Sequence, residues 1–315
     1  MFEITSDDIS LLTDEDLRTL VGLLCESEVR SREISTSFVT WGGNQNAVDG
    51  GIDVRVALPD GSRIDGFVPR RATGFQVKKS DMPRAEILSE MRPEGSLRPA
   101  IRDLADRSGA YVIVSSGSST ADTSLQSRRS AMKEAVKDLP NAASLSLDFY
   151  DSGRLASWVR DHMGLVAWVK EKTAHSIRGW QSYGSWTFGP EGVAGEYLLD
   201  ESLRIRTNTE TEVDGFRPLD GIERIRKLLS QPRTVVRLVG LSGVGKTRLV
   251  QALFDNRIGS ENLDQTFAAY TNIADGPDPE PNSLISDLVA SREIVPILVE
   301  SGSSRLFARY ATCSC

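Results

Sequence analysis

Histidine and cysteine are scarce. The 315 residues hold two histidines, His162 and His175, and three cysteines, Cys25, Cys313 and Cys315. Two histidines cannot build a His-rich metal cage. Three cysteines, two of them within the last three positions, make neither a disulfide framework nor a zinc pattern, and suit a reducing compartment. No apolar run approaches the ~20 residues that a bilayer-spanning helix needs, so no membrane is expected. The first residues, Met1 to Asp8, are acidic where a secretory leader would carry positive charge. No internal repeat is visible. These absences describe a soluble, cytoplasmic protein.

What is present allows a folded core. Hydrophobic residues make up 39% and charged residues 26%, which excludes global disorder, and the length suits about two domains. The net charge of −7 argues against a nucleic-acid coat protein. Locally the balance reverses: Arg63, Arg70, Arg71, Lys78 and Lys79 face only Asp65, a basic patch able to meet phosphates.

Hydrophobic spacing reads as α/β. Thr13 caps a helix whose first turn holds Asp14, Glu15 and Asp16 and whose apolar face is Leu17, Leu20, Val21 and Leu24. Strands follow at 38–41, 52–58 and 74–78, with a turn at Pro59-Asp60-Gly61. A helix over 97–106, a buried strand over 110–114, a helix over 127–138, a strand over 144–149 and one helical stretch over 152–169 complete the first half. Residues 174–215 mix glycines with Trp180, Tyr183, Trp186 and Phe188 and read as an ordered connector. A second α/β unit then opens with a helix over 221–229 and a strand over 234–239. The expected domains are therefore 1–173, a connector over 174–215, and 216–315.

Gly240-Leu241-Ser242-Gly243-Val244-Gly245-Lys246-Thr247 matches G-x-x-x-x-G-K-[ST] at every fixed position. Average residue usage would produce that pattern in roughly one such chain in a hundred. An apolar strand precedes it and a helix, 246–254, follows, as the motif requires. Glycines let backbone N–H groups curl around phosphate oxygens, and the helix N-terminus adds positive dipole. Lys246 is expected at the β/γ-phosphates and Thr247 at Mg²⁺, with ATP as the nucleotide. The expected partner, an apolar strand ending in an acid, is best matched by Ile294 to Glu300, with Glu where Asp is usual and Pro296 within the strand. The 81 residues over 235–315 fall short of a usual P-loop core, and residues 301–315 show no strand period. An incomplete P-loop domain, from a fragment or an interrupted gene, is expected.

The first half carries a second constellation: Asp49-Gly50-Gly51-Ile52-Asp53-Val54, then Gly74-Phe75-Gln76-Val77-Lys78. Mg²⁺-assisted phosphodiester hydrolysis needs hard oxygen ligands and a cation beside the attacking water. Strand period two puts Gln76 and Lys78 on one face, and hairpin pairing sets Asp53 opposite them. Among eight lysines, only Lys78 has Asp, Glu or Gln two residues earlier.

With the upstream helix bearing Glu15, these residues resemble the Mrr-type branch of the PD-(D/E)xK restriction-endonuclease superfamily, over about residues 10–170. That branch typically uses Gln in place of the middle acid, as Gln76 does. The resemblance implies a restriction-endonuclease-like mixed sheet flanked by helices. It implies Asp53 as the principal Mg²⁺ (or Mn²⁺) ligand, Gln76 as a neutral ligand, the Val77 carbonyl completing the shell and Lys78 as the catalytic cation. A helix carboxylate, Glu15 with Asp14 and Asp16 beside it, would join them, and Asp49 is a further candidate. Such a nuclease followed by a P-loop module is similar to the antiviral STAND ATPases of bacteria. The expected partners are double-stranded DNA, ATP and further copies of the chain in a homo-oligomer. The alternatives are a nucleotide-binding regulator with an inert nuclease fold, or a gene remnant.

Overall fold

In a computed structural model the described residues are 3–30, 32, 34–42, 51–62, 66–117, 121–173, 177–182, 204–206, 215–231, 234–241, 244–255, 257–260, 262–264, 268–291, 295–301 and 304–310. The chain divides between Asp161 and His162 into two compact units. That division falls ahead of the sequence boundary at Thr173, and the physical reason is a break in the helical stretch. In place of one helix over 152–169 there are two, α6 (Ser152–Arg160) and α7 (Met163–Lys172), one in each unit.

The first unit is α/β. Helices α1 (Ser6–Leu11) and α2 (Asp14–Arg30) precede strands β1 (Val39–Trp41), β2 (Val54–Ala57) and β3 (Ala72–Lys78). Then come α3 (Arg84–Met91), α4 (Pro99–Asp106), β4 (Ala110–Ser115), α5 (Asp122–Ala135), β5 (Ser146–Tyr150) and α6. The five strands form one mixed sheet in sequence order. β1–β2 and β2–β3 pair antiparallel, whereas β3–β4 and β4–β5 pair parallel. The change of sense accompanies the connections: residues 58–71 join β2 to β3 without a helix among those described, while helices carry the chain back between β3, β4 and β5.

Both faces of the sheet are covered, which is why β3 and β4 read as nearly unbroken buried runs. α2 packs on β2 and β3. It begins where Thr13 Oγ1 accepts from the Asp16 N–H (3.1 Å), and it buries Leu17, Leu20, Val21, Leu24 and Cys25. Gly22 faces Trp41 so closely that an added Cβ would lie 2.3 Å from the ring. α6 packs on β4 and β5 and sinks Trp158 completely, with its Nε1 donating to Glu28 Oε1 and its ring stacked on Phe67. On the opposite face Tyr111, Ile113 and Phe149 pack with Ile87, Met91, Ile101, Leu104 and Met132 from α3, α4 and α5.

The second unit holds α7, β6 (Trp180–Ser182), α8 (Pro218–Leu229), β7 (Thr234–Val239), α9 (Lys246–Phe254), β8 (Ala269–Asn272), α10 (Pro281–Ser291), β9 (Val295–Ser301) and β10 (Ser304–Tyr310). Its sheet order is β6-β8-β9-β10-β7, with only β8–β9 parallel. One expectation changes here. Residues 304–310 do form a strand, because backbone pairing with β9 on one side and β7 on the other needs no side-chain alternation. β7, the strand before the Gly240–Thr247 stretch, stands last in this sheet among the described residues and pairs antiparallel with β10. Of the expected connector, β6 belongs to this sheet. Tyr183, Trp186 and Phe188 lie outside the described residues.

Candidate functional site

Asp53 stands just ahead of β2 and is fixed by β3. Its backbone N–H donates to the Phe75 carbonyl at 2.8 Å, which extends the β2–β3 ladder by one residue. Its Oδ2 accepts from Gln76 Nε2 at 2.9 Å and from the Val77 N–H at 2.7 Å. Since the N–H and C=O of a strand residue point to the same side, the Val77 carbonyl also faces the edge where β2 has begun. Asp53, Gln76 and the Val77 backbone therefore meet in one place. Gln76 is 4% exposed, and its Oε1 has no hydrogen-bond partner.

Lys78 lies on the Gln76 face of β3 and points to a carboxylate that sequence spacing did not single out. Its Nζ is 3.1 Å from Glu90 Oε2 on α3, while Glu90 Oε1 accepts from Arg98 Nη2 at 2.7 Å. The Arg98 Nε also donates to the Glu90 backbone carbonyl at 2.6 Å. Gly51 explains part of the glycine run before Asp53. Its φ of +82° suits glycine, and a Cβ there would come within 2.5 Å of Arg98 Cδ. Tyr111 of β4, opposite Gly74 in register, completes the group. Its hydroxyl is buried without a hydrogen-bond partner. Burial raises the pKa of this phenol; the negative charges of Glu90 and Asp53 add to the rise, and Arg98 opposes it.

Of the three helix acids, Glu15 is exposed. One turn of α2 links Asp14 to Asp53 through Arg18. The Arg18 Nη2 bonds Asp14 Oδ2, and its Nε lies 3.2 Å from Asp53 Oδ1. That second approach is a charge contact, because the Arg18 Nε makes no directed hydrogen bond. Asp16 bonds Thr13 at the helix start, and Asp49 lies outside the described residues. The i,i+4 spacing of Asp14 and Arg18 was the one sequence signal for this link. Glu90 and Arg98 had none, since α3 was not anticipated and the two meet only through the loop between α3 and α4.

Among the described residues no three His, Cys, Asp or Glu side chains gather as a metal-holding group. The donors at Asp53 differ in kind: one carboxylate, one amide oxygen and one backbone carbonyl. These are the hard oxygens that Mg²⁺ accepts, and the buried, unpartnered Gln76 Oε1 fits such an ion. Of the basic patch, Arg70, Arg71 and Lys79 are exposed, with Arg71 3.3 Å from Asp60. Arg63 and Asp65 lie outside the described residues.

In the G-x-x-x-x-G-K-T stretch, Gly245 has φ +84° and caps α9. Lys246 Nζ donates to the carbonyls of Gly240 (2.7 Å) and Leu241 (2.6 Å), so its ammonium lies over the loop. Thr247 is half-buried in the first turn of α9, and Val244 is exposed. Ser242 and Gly243 lie outside the described residues. The far end of α9 is closed by Arg226 of α8, which is 1% exposed. Its guanidinium donates to the carbonyls of Ala252, Leu253, Asp255, Ile258 and Ser260. Glu300 falls on β9, and β10 separates that strand from β7. No family model, curated protein or solved structure matches the chain.

Proposed function

We propose that the chain is a cytoplasmic, Mg²⁺-dependent DNA endonuclease of the Mrr-like, PD-(D/E)xK kind, joined to an ATP-binding P-loop module of the STAND type in bacterial antiviral defence. One observation carries the nuclease: Asp53 Oδ2 is hydrogen-bonded by Gln76 and by the Val77 N–H, with Lys78 next on the same face of β3. The sheet order β1-β2-β3-β4-β5, antiparallel and then parallel, with α2 before it, agrees with a restriction-endonuclease-like core.

Asp53, Gln76 Oε1 and the Val77 carbonyl would hold the ion. Bound there, a divalent cation polarises the scissile phosphodiester and makes water a better nucleophile. Lys78 stands beside the attacking water and offsets charge that develops on the phosphate oxygens. Glu90 holds Lys78 and Arg98 close together, so two cations share one carboxylate and face the phosphate with a net positive charge. Arg70, Arg71 and Lys79 would contact the duplex backbone.

The test is cleavage of double-stranded DNA by purified protein with Mg²⁺ or Mn²⁺. Asp53→Ala and Lys78→Ala should each abolish cleavage while the unfolding transition stays in place. Undiminished cleavage in both variants removes the assignment. A second reading, an inert nuclease fold governed by ATP, draws on the Lys246 ammonium lying over its glycine-rich loop. ATP-dependent assembly into a homo-oligomer without any DNA cleavage, lost in Lys246→Ala, would support it.

A further inference from the structure

We infer that Arg18 is a built-in counter-ion that competes with the divalent cation for Asp53, and that it withdraws to Asp14 when metal enters; this rests on Asp53 being a metal ligand as proposed above. The two oxygens of Asp53 are used differently. Oδ2 accepts the Gln76 amide and the Val77 N–H, while Oδ1 faces the Arg18 guanidinium. A metal ion at Oδ1 would meet a positive charge already there, and like charges at contact distance repel strongly in a half-buried site.

The geometry shows how the conflict resolves. Arg18 Nε lies 3.2 Å from Asp53 Oδ1 but makes no directed hydrogen bond, so this contact is the weaker of its two. Its Nη2 bonds Asp14, four residues earlier on the same helix. Rotation of the Arg18 side chain would give up Asp53 and keep Asp14. The helix itself has no need to move, held as it is by the Thr13 cap and by Leu17, Leu20 and Val21 in the core. Without metal, Arg18 supplies Asp53 with charge compensation. With metal it is an obstacle, and metal affinity is set by the difference.

Titration of the full chain with Mn²⁺, followed by electron paramagnetic resonance and by the Mn²⁺-dependent shift in Tm, tests this without reference to cleavage. Arg18→Met should bind Mn²⁺ about tenfold tighter than the parent and gain a larger Tm rise from it, whereas Arg18→Lys should stay close to the parent. If Arg18→Met does not fold, Arg18→Gln, which keeps a hydrogen-bonding partner for Asp14, should show the same tightening. Equal or weaker Mn²⁺ binding in the neutral variants overturns the inference. Asp53→Asn separates the two ideas. If it abolishes Mn²⁺ binding while the Arg18 variants fail to tighten it, only the counter-ion role falls. If Asp53→Asn leaves binding intact, the metal site itself was misplaced.

Discussion

The two units put their chemistry on different footings. In the first, Asp53 and Gln76 are 23 residues apart, and only the β2–β3 register joins them. In the second, the G-x-x-x-x-G-K-T motif is one continuous stretch of sequence between β7 and α9. The specificity of the motifs runs the other way. The loop is the rarer sequence pattern, yet its strand stands last in its sheet among the described residues, with an antiparallel neighbour. The Asp…Gln-x-Lys pattern is commoner, yet hydrogen bonds at 2.7 and 2.9 Å hold its parts together. A rare local motif is thus no guarantee of the surrounding sheet, and a weak dispersed one gains its meaning from tertiary pairing.

The sharpest way to break this comparison is a pair of lysine exchanges. Lys78→Ala should lower DNA cleavage on the order of 10³-fold and leave binding of a fluorescent ATP analogue unchanged. Lys246→Ala should do the reverse. Loss of both activities in either variant would show that the two footings are not separate. Next in size, Trp158→Ala removes a fully buried ring and its bond to Glu28, at a cost of about 4 kcal/mol to the first unit. Urea unfolding monitored in each unit should place that loss in the first alone.

Acid should act on the other unit. His162 is buried, and burial lowers its pKa from 6.5 to about 4, against a smaller opposing pull from Asp264. The unfolded chain takes up this proton first, so stability is complete above pH 6.5 and declines as pH falls toward 4. The drop amounts to about 3 kcal/mol, and Tm measured between pH 7.5 and 4.5 should flatten in His162→Gln. The smallest effect is expected from Gly22→Ala. Alanine favours a helix, but its Cβ would strike Trp41, so a net loss of about 1–2 kcal/mol is expected. A gain in stability would mean that β1 can yield to α2.

Much of the first sheet was legible because its strands and α2 carry strong apolar periods and clear turn signals. The helix α3 was not, being polar in sequence, with Pro83 at its start and no side-chain cap. With it went Glu90, and so the partner of Lys78. The choice among Asp14, Glu15 and Asp16 was equally hidden, since three adjacent acids differ only in the direction each faces around the helix. Arg18, one turn on, contacts both Asp14 and Asp53. The strand β10 escaped because its place is set by pairing on both edges, which leaves no alternating signature.

By itself the sequence determined the α/β character, the G-x-x-x-x-G-K-T pattern between a strand and a helix, and the pairing of an aspartate with a Gln-x-Lys strand. Each depends on neighbours within a few residues or on a period of two or 3.6. Only the tertiary structure decided that Glu90 and Arg98 stand by Lys78, that Arg18 faces Asp53, and that β7 pairs antiparallel with β10. Those outcomes come from helix packing and strand register, which bring together residues that the chain keeps far apart.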